Sequence, residues 1–274
     1  MAIEKGLRLG TMTLADLEKS GGLDAALKGF ERFYLGPEFC ENLLDESLCE
    51  DAAWLQGRGK KICLLTPLLS EKGAVQLDSV FKQLSKLAKS GAIDPAGLEV
   101  TANDFGAIEL ARRRRLPFRL NAGRLLRDNV FDDTFEAVKV HNGLALDLFR
   151  EYGITRYELS TIGMRPSVNF AKGRLYGFDR KDFSITLYYP YFNLTSTRTC
   201  LVGMRDVPQE EPARLVNCAR ECRISSFELA HPSIKEKLLV RGNTVFLEFP
   251  EKFYASEKDL ARINVDRLVY APFP

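Results

Sequence analysis

The stretch Lys61-Ile62-Cys63-Leu64-Leu65-Thr66-Pro67-Leu68-Leu69 is a short, unbroken apolar run. A run of this kind, apolar at consecutive positions rather than alternate ones, suits a strand buried on both faces, as in a parallel sheet covered by helices. The sequence that follows agrees. Val75, Leu77, Val80, Phe81, Leu84, Leu87 and Ala88 share one helical face, and Ser90-Gly91 closes that helix. Gly97-Leu98-Glu99-Val100-Thr101 reads as the next strand, Asn103-Asp104 as the cap of a helix over 105–114, and Leu116-Pro117-Phe118-Arg119-Leu120 as a third strand. A helix is expected over 131–152, weakened at Gly143, and a fourth strand over 154–160. On the N-terminal side, Phe33-Tyr34-Leu35-Gly36 reads as the end of an earlier strand.

Strands recurring every ~25–40 residues with helices between them argue for parallel βαβ units. Beyond residue 160 the pattern loosens: 183–189 is a strand, 193–225 reads as a long functional loop, and 244–249 and 267–270 suggest two more strands. This order fits a TIM-like eight-fold α/β barrel, complete or short of a strand, better than an open dinucleotide-binding sheet. No glycine fingerprint follows any strand. Without repeats or an evident linker, residues 1–274 are expected to form a single domain.

Composition is that of an ordinary globular chain, 45% apolar and 28% charged. The net charge of +2 gives no global electrostatic case for nucleic acid or an acidic membrane surface. No apolar run reaches the ~20 residues of a membrane helix, and Met1 to Leu9 lacks the apolar core of a secretory signal. The expected compartment is therefore the reducing cytoplasm, where the six cysteines read as buried thiols or metal ligands rather than disulfides.

Cys218 and Cys222 are close enough in sequence for one helical turn or tight loop to bring their sulfurs together. Cys200 lies in the same loop region, and Cys40 must arrive through the fold. A barrel permits this, because Cys40 and Cys200 both follow strands and would emerge at the carboxyl-end face where barrel sites are built. Spacing alone leaves several readings open: an iron–sulfur site, a zinc site, or unrelated thiols. Cys49 and Cys63 read as packing thiols.

The segment Phe33 to Cys40, the segment Leu98 to Gly106 with Leu116-Pro117-Phe118 after it, and the set Cys200, Cys218 and Cys222-Arg223 resemble the UbiV-like branch of the collagenase-like peptidase superfamily. That resemblance implies a barrel-like α/β fold and a [4Fe-4S] cluster on Cys40, Cys200, Cys218 and Cys222. It also implies a part in oxygen-independent (anaerobic) hydroxylation in ubiquinone biosynthesis, acting on a small aromatic or quinone-precursor substrate beside a homologous UbiU-like subunit in a heterodimer. Three alternatives remain: an RNA-base hydroxylation enzyme of the same superfamily, a zinc-stabilised non-enzymatic scaffold, and a peptidase.

The strand-end residues Thr66, Asn103, Asp104, Asn121, Arg124 and Glu158 are candidates for the pocket, with Asn103, Asp104, Asn121 and Glu158 as candidate catalytic groups. A helix cap is the plain alternative for Asn103 or Asp104, and a solvated carboxylate for Glu158. Tyr188, Tyr189, Tyr191 and Phe192 read as packing first and as a substrate wall second. Arg112 to Arg115 reads as a solvated helix end, with RNA the less favoured partner. His141 and His231 form no metal pair, and the absence of any His-Glu-x-x-His segment argues against metalloprotease chemistry.

Overall fold

Eight parallel strands close into a barrel in a computed structural model of the chain. The structure describes residues 3–126, 131–133, 138–140, 142–160, 168–169, 171–203, 218–248 and 256–272. In chain order the strands are β1 (Glu4–Arg8), β2 (Arg32–Leu35), β3 (Lys61–Leu65), β4 (Leu98–Ala102), β5 (Arg119–Ala122), β6 (Phe131–Asp133), β7 (Val138–Val140), β8 (Arg156–Ser160), β9 (Val168–Asn169), β10 (Ser184–Tyr189), β11 (Tyr191–Ser196), β12 (Phe227–His231), β13 (Ile234–Arg241), β14 (Thr244–Glu248) and β15 (Val265–Tyr270). The barrel runs β1-β15-β10-β8-β5-β4-β3-β2 and is closed where β1 pairs with both β15 and β2. The expected TIM-like α/β barrel is therefore complete.

The helices are α1 (Leu14–Lys19), α2 (Leu23–Gly29), α3 (Ser47–Gln56), α4 (Glu71–Lys89), α5 (Phe105–Arg114), α6 (Gly143–Glu151), α7 (Ala171–Leu175) and α8 (Glu257–Arg262). The apolar run from Lys61 forms β3, and its neighbour α4 buries Leu77, Val80, Phe81 and Leu84. Each such side chain contributes about 1.5–3 kcal/mol by leaving water. On β4, Leu98, Val100 and Ala102 join the helix-side core, while Glu99 and Thr101 bond across the barrel interior to Arg267 and Glu158.

Several sequence expectations are corrected. The helix over 131–152 is two short strands, β6 and β7, followed by α6. Asn142 starts α6 by accepting the Ala145 N–H at 3.2 Å. The third predicted strand starts later, at Arg119, because Arg115 ends α5 in a left-handed conformation (φ 49°) and Pro117 has no N–H to pair. The long loop contains β11, and the stretch before 244 is the β12–β13 hairpin, whose residues the sequence reading left unassigned. Strand β14 belongs not to the barrel but to an antiparallel sheet, β11-β14-β13-β12, inserted between β10 and β15.

That sheet roofs the carboxyl end of the barrel. Phe246 packs edge-on to Phe39 (ring centroids 5.4 Å apart) and to Tyr191 (6.4 Å). Asn193 accepts the Ser160 hydroxyl at 3.0 Å, and Arg198 reaches the Leu69 carbonyl. Gly36 allows the chain to leave β2 toward the mouth: its φ is +93°, and a Cβ there would lie 2.7 Å from the Leu65 carbonyl oxygen. Among the described residues, no helix is long and apolar enough to cross a membrane.

Candidate metal centre at the barrel mouth

Cys40 sits just past β2, Cys200 follows β11, Cys218 precedes the short turn before β12, and Cys222 lies within that turn. All four are free thiols; Cys222 is buried and the others are half-buried. The structure brings them into one neighbourhood. Burial, followed by the charges of Cys222, Cys218 and Cys200, pushes the Cys40 thiol up to about 11, while the Asn42 N–H works in the opposite direction. Burial raises the Cys222 thiol too, with Cys200 and Cys218 adding to the rise and Arg241 opposing it. The sulfurs are neighbours and not a tight cage: among the described residues, no group of three or more Cys, His, Asp or Glu side chains closes on a single metal ion.

Local bonds fix the backbone around each thiol. The Gly203 N–H donates to Cys200 Sγ at 3.2 Å. Arg220, left-handed at φ 60°, pairs with Asp45 at 3.6 Å and so ties the Cys218–Cys222 turn to the segment that follows Cys40. The β13–β14 turn reaches three segments. Arg241 Nε donates to the Cys222 carbonyl at 2.9 Å, and its Nη2 to the Arg223 carbonyl at 3.2 Å. The Gly242 carbonyl accepts the Leu201 and Val202 N–H groups at 2.8 and 3.1 Å. Asn243 Nδ2 donates to the Phe39 carbonyl at 2.8 Å and to the Thr197 carbonyl at 2.5 Å. A cavity of about 30 Å³ lies here, lined by Arg8, Glu38, Cys40, Cys222, Arg241 and Asn243 among others.

The donor set suits a thiophilic metal group, since thiolates are the ligands that iron–sulfur clusters and structural zinc both take. Cys49 and Cys63 stand apart, as expected. Cys49 is fully buried, its sulfur 3.7 Å from the Val80 carbonyl, and burial pushes its thiol up to about 12. Cys63 lies inside the barrel with its sulfur 3.0 Å from Thr101 Oγ1.

Beneath the thiols, two guanidinium groups share one carboxylate. Arg124 grips Glu38 with two bonds of 2.6 and 2.5 Å, and Arg8 Nε lies 2.9 Å from the same carboxylate. Burial works to raise the Glu38 carboxyl, but Arg124 and Arg8 together hold it below the usual range. Arg124 also donates to Ser160 Oγ at 2.8 Å and lies 4.3 Å over the Tyr188 ring. Deeper in the barrel, Tyr188 Oη donates to Glu158 at 2.6 Å and Thr101 Oγ1 donates to it at 2.9 Å. Burial pushes the Glu158 carboxyl up to about 7, against those two bonds and the Arg267 charge. Glu158 is thus a buried carboxyl that gives up its proton less readily than a solvated one.

The other candidates divide. Asn121 is buried in the interior and donates to Glu99 at 2.8 Å. Asn103 commits both ends of its amide to backbone, donating to the Thr66 carbonyl and accepting the Leu125 N–H. Asp104 is the cap of α5, accepting the Gly106 N–H at 2.5 Å, so the plain reading describes it. The Arg112–Arg115 run is largely paired: Arg112 and Arg113 with Glu109, Arg114 with Asp78. His141 lies outside the described residues. Sequence reasoning did not find Arg8, Glu38, Arg241 or Asn243. The place of Glu38, two positions before Cys40 in the segment after β2, is the one sequence signal that could have found the first pair.

No protein family's sequence profile matches this chain, and no curated protein sequence does. Among solved structures, it is similar to a glycoside hydrolase family 18 N-acetylglucosaminidase from Paenibacillus barengoltzii, at 9% identity and a TM-score of 0.36, over 98% of this chain and 94% of that one. The barrel assignment stands on the strand pairing itself.

Proposed function

We propose that this chain is an iron–sulfur protein of the UbiU/UbiV type, carrying a [4Fe-4S] cluster on Cys40, Cys200, Cys218 and Cys222. In this reading it assists oxygen-independent hydroxylation of a small aromatic or quinone precursor in ubiquinone biosynthesis, beside a homologous UbiU-like subunit. The observation that supports it is that thiols from separate segments at the carboxyl end of the barrel lie near enough to feel one another's charge. The cluster supplies one-electron transfer when bound.

The chain's own residues do the rest. Arg8, Arg124 and Glu38 form a rigid, net positive floor under the thiols. Glu158, its carboxyl raised by burial, accepts a hydrogen bond from Tyr188, whose ring lies under Arg124. Anaerobic purification followed by iron and sulfide analysis tests the reading. About four irons per chain are expected, and Cys218→Ala should remove them. A colourless, zinc-loaded protein under those conditions would overturn the cluster in favour of a zinc-stabilised scaffold. Quinone levels and RNA modifications compared in a deletion strain separate the quinone reaction from an RNA reaction.

A further inference from the structure

The β13–β14 turn stands out because three consecutive residues bond to three separate cysteine-bearing segments. Asn243 binds the carbonyl of Phe39, the residue before Cys40. Gly242 accepts the N–H groups of the two residues after Cys200. Arg241 binds the carbonyls of Cys222 and its successor. The turn favours glycine at 242, where φ is +61°. Asn243 is buried, so its amide is held in place and desolvated.

We propose that Arg241-Gly242-Asn243 is the organising shell of the thiol site, fixing the backbones of Cys40, Cys200 and Cys222 so that their sulfurs are presented together to a thiophilic cation. The inference rests on the preceding reading only in taking these thiols to act as one site; it does not require that the metal be iron. The three residues are positioning residues and touch the metal through the cysteines. Partners that orient ligands in this way typically contribute ~10–100-fold to metal affinity.

The test uses the full-length chain, freed of metal under anaerobic conditions and titrated with Co(II) alone. Thiolate-to-cobalt charge-transfer absorption is the readout, with circular dichroism confirming an intact barrel. Asn243→Ala and Arg241→Gln are each expected to weaken Co(II) binding by about 10–100-fold. Arg241→Lys, which can still donate to one carbonyl but loses the two-carbonyl fork, should recover part of that loss. Arg241→Gln alone carries the test where Asn243→Ala does not fold, because its bonds reach only the Cys222 turn. Wild-type affinity in the folded variants would overturn the proposal. A wild-type chain that gives no thiolate–cobalt absorption would overturn both it and the four-thiol reading. Cobalt binding that responds to the turn, in a protein that carries no iron when purified, would overturn the cluster and leave the turn's role standing.

Discussion

Glu158→Gln should remove a pH dependence of stability that the wild-type barrel carries. Glu158 is fully buried, and its carboxyl is pushed from 4.5 to about 7, with burial as the largest cause. A carboxyl raised on folding binds its proton more tightly in the native state than in the unfolded chain. Its favourable contribution is therefore complete below about pH 4.5, declines as the pH rises, and is lost once the pH has passed about 7. A rise of that size corresponds to about 3 kcal/mol across the window. Glutamine keeps the shape and an acceptor for Tyr188 or Thr101 but cannot titrate, so its own cost is the same at every pH. Urea denaturation of both proteins at fixed salt, from pH 4 to pH 8, reads the difference. The stability gap between wild type and variant should shrink, and then reverse or vanish, as the pH rises. Difference infrared spectroscopy on the same pair should show the stretch of a protonated carboxylic acid at pH 6 only in the wild type. A gap that stays constant across the range, or a Glu158 already ionised at pH 6, would refute the burial argument.

Other perturbations separate the parts of the site. Glu38→Ala leaves Arg8 and Arg124 buried without their shared carboxylate; it should cost about 3–5 kcal/mol in chemical denaturation. Gly36→Ala forces a side chain into a left-handed position against the Leu65 carbonyl, and a loss of about 1–3 kcal/mol is expected from thermal unfolding. Cys49→Ala should leave the iron content of anaerobically purified protein unchanged, whereas Cys40→Ala should deplete it, as iron analysis of the two will show. Arg112→Ala breaks only an exposed pair with Glu109, so the melting temperature should not move.

The barrel was legible where burial is symmetrical. Strands β3 and β4 are covered on both faces, so their apolar runs announce themselves, and α4 and α5 carry helical periodicity with recognisable ends. Strand β1 was missed because its sequence, Glu-Lys-Gly-Leu-Arg, is polar; Glu4 is drawn in by Arg32 and Arg267 across the barrel floor, a partnership that exists only once the barrel closes. The same reason explains the 131–152 error. The β-branched residues of β7 pair with β6 and β9, and local sequence carries no sign of that pairing.

The site divides along the same line. Cysteines are rare enough to be noticed one by one, and a barrel makes distant strand ends neighbours, so the thiol set could be assembled on paper. The residues that hold it could not. Arg241 and Asn243 work through backbone carbonyls, and a carbonyl is the same group whatever residue bears it. Arg8 and Glu38 likewise look like solvated charges in sequence and become a buried pair only under the roof. Which thiols to consider is therefore read from the sequence, while how they are held depends on contacts that the β11–β14 sheet makes across the mouth. On that view, loosening the roof should weaken metal binding before it weakens the barrel. Phe246→Ala, which strips the sheet's ring contact with Phe39 and leaves every barrel strand pair intact, offers the cleanest instance. Its Co(II) affinity should fall while the far-ultraviolet signal of the barrel persists. A variant that loses both together would show instead that roof and barrel fold as one unit.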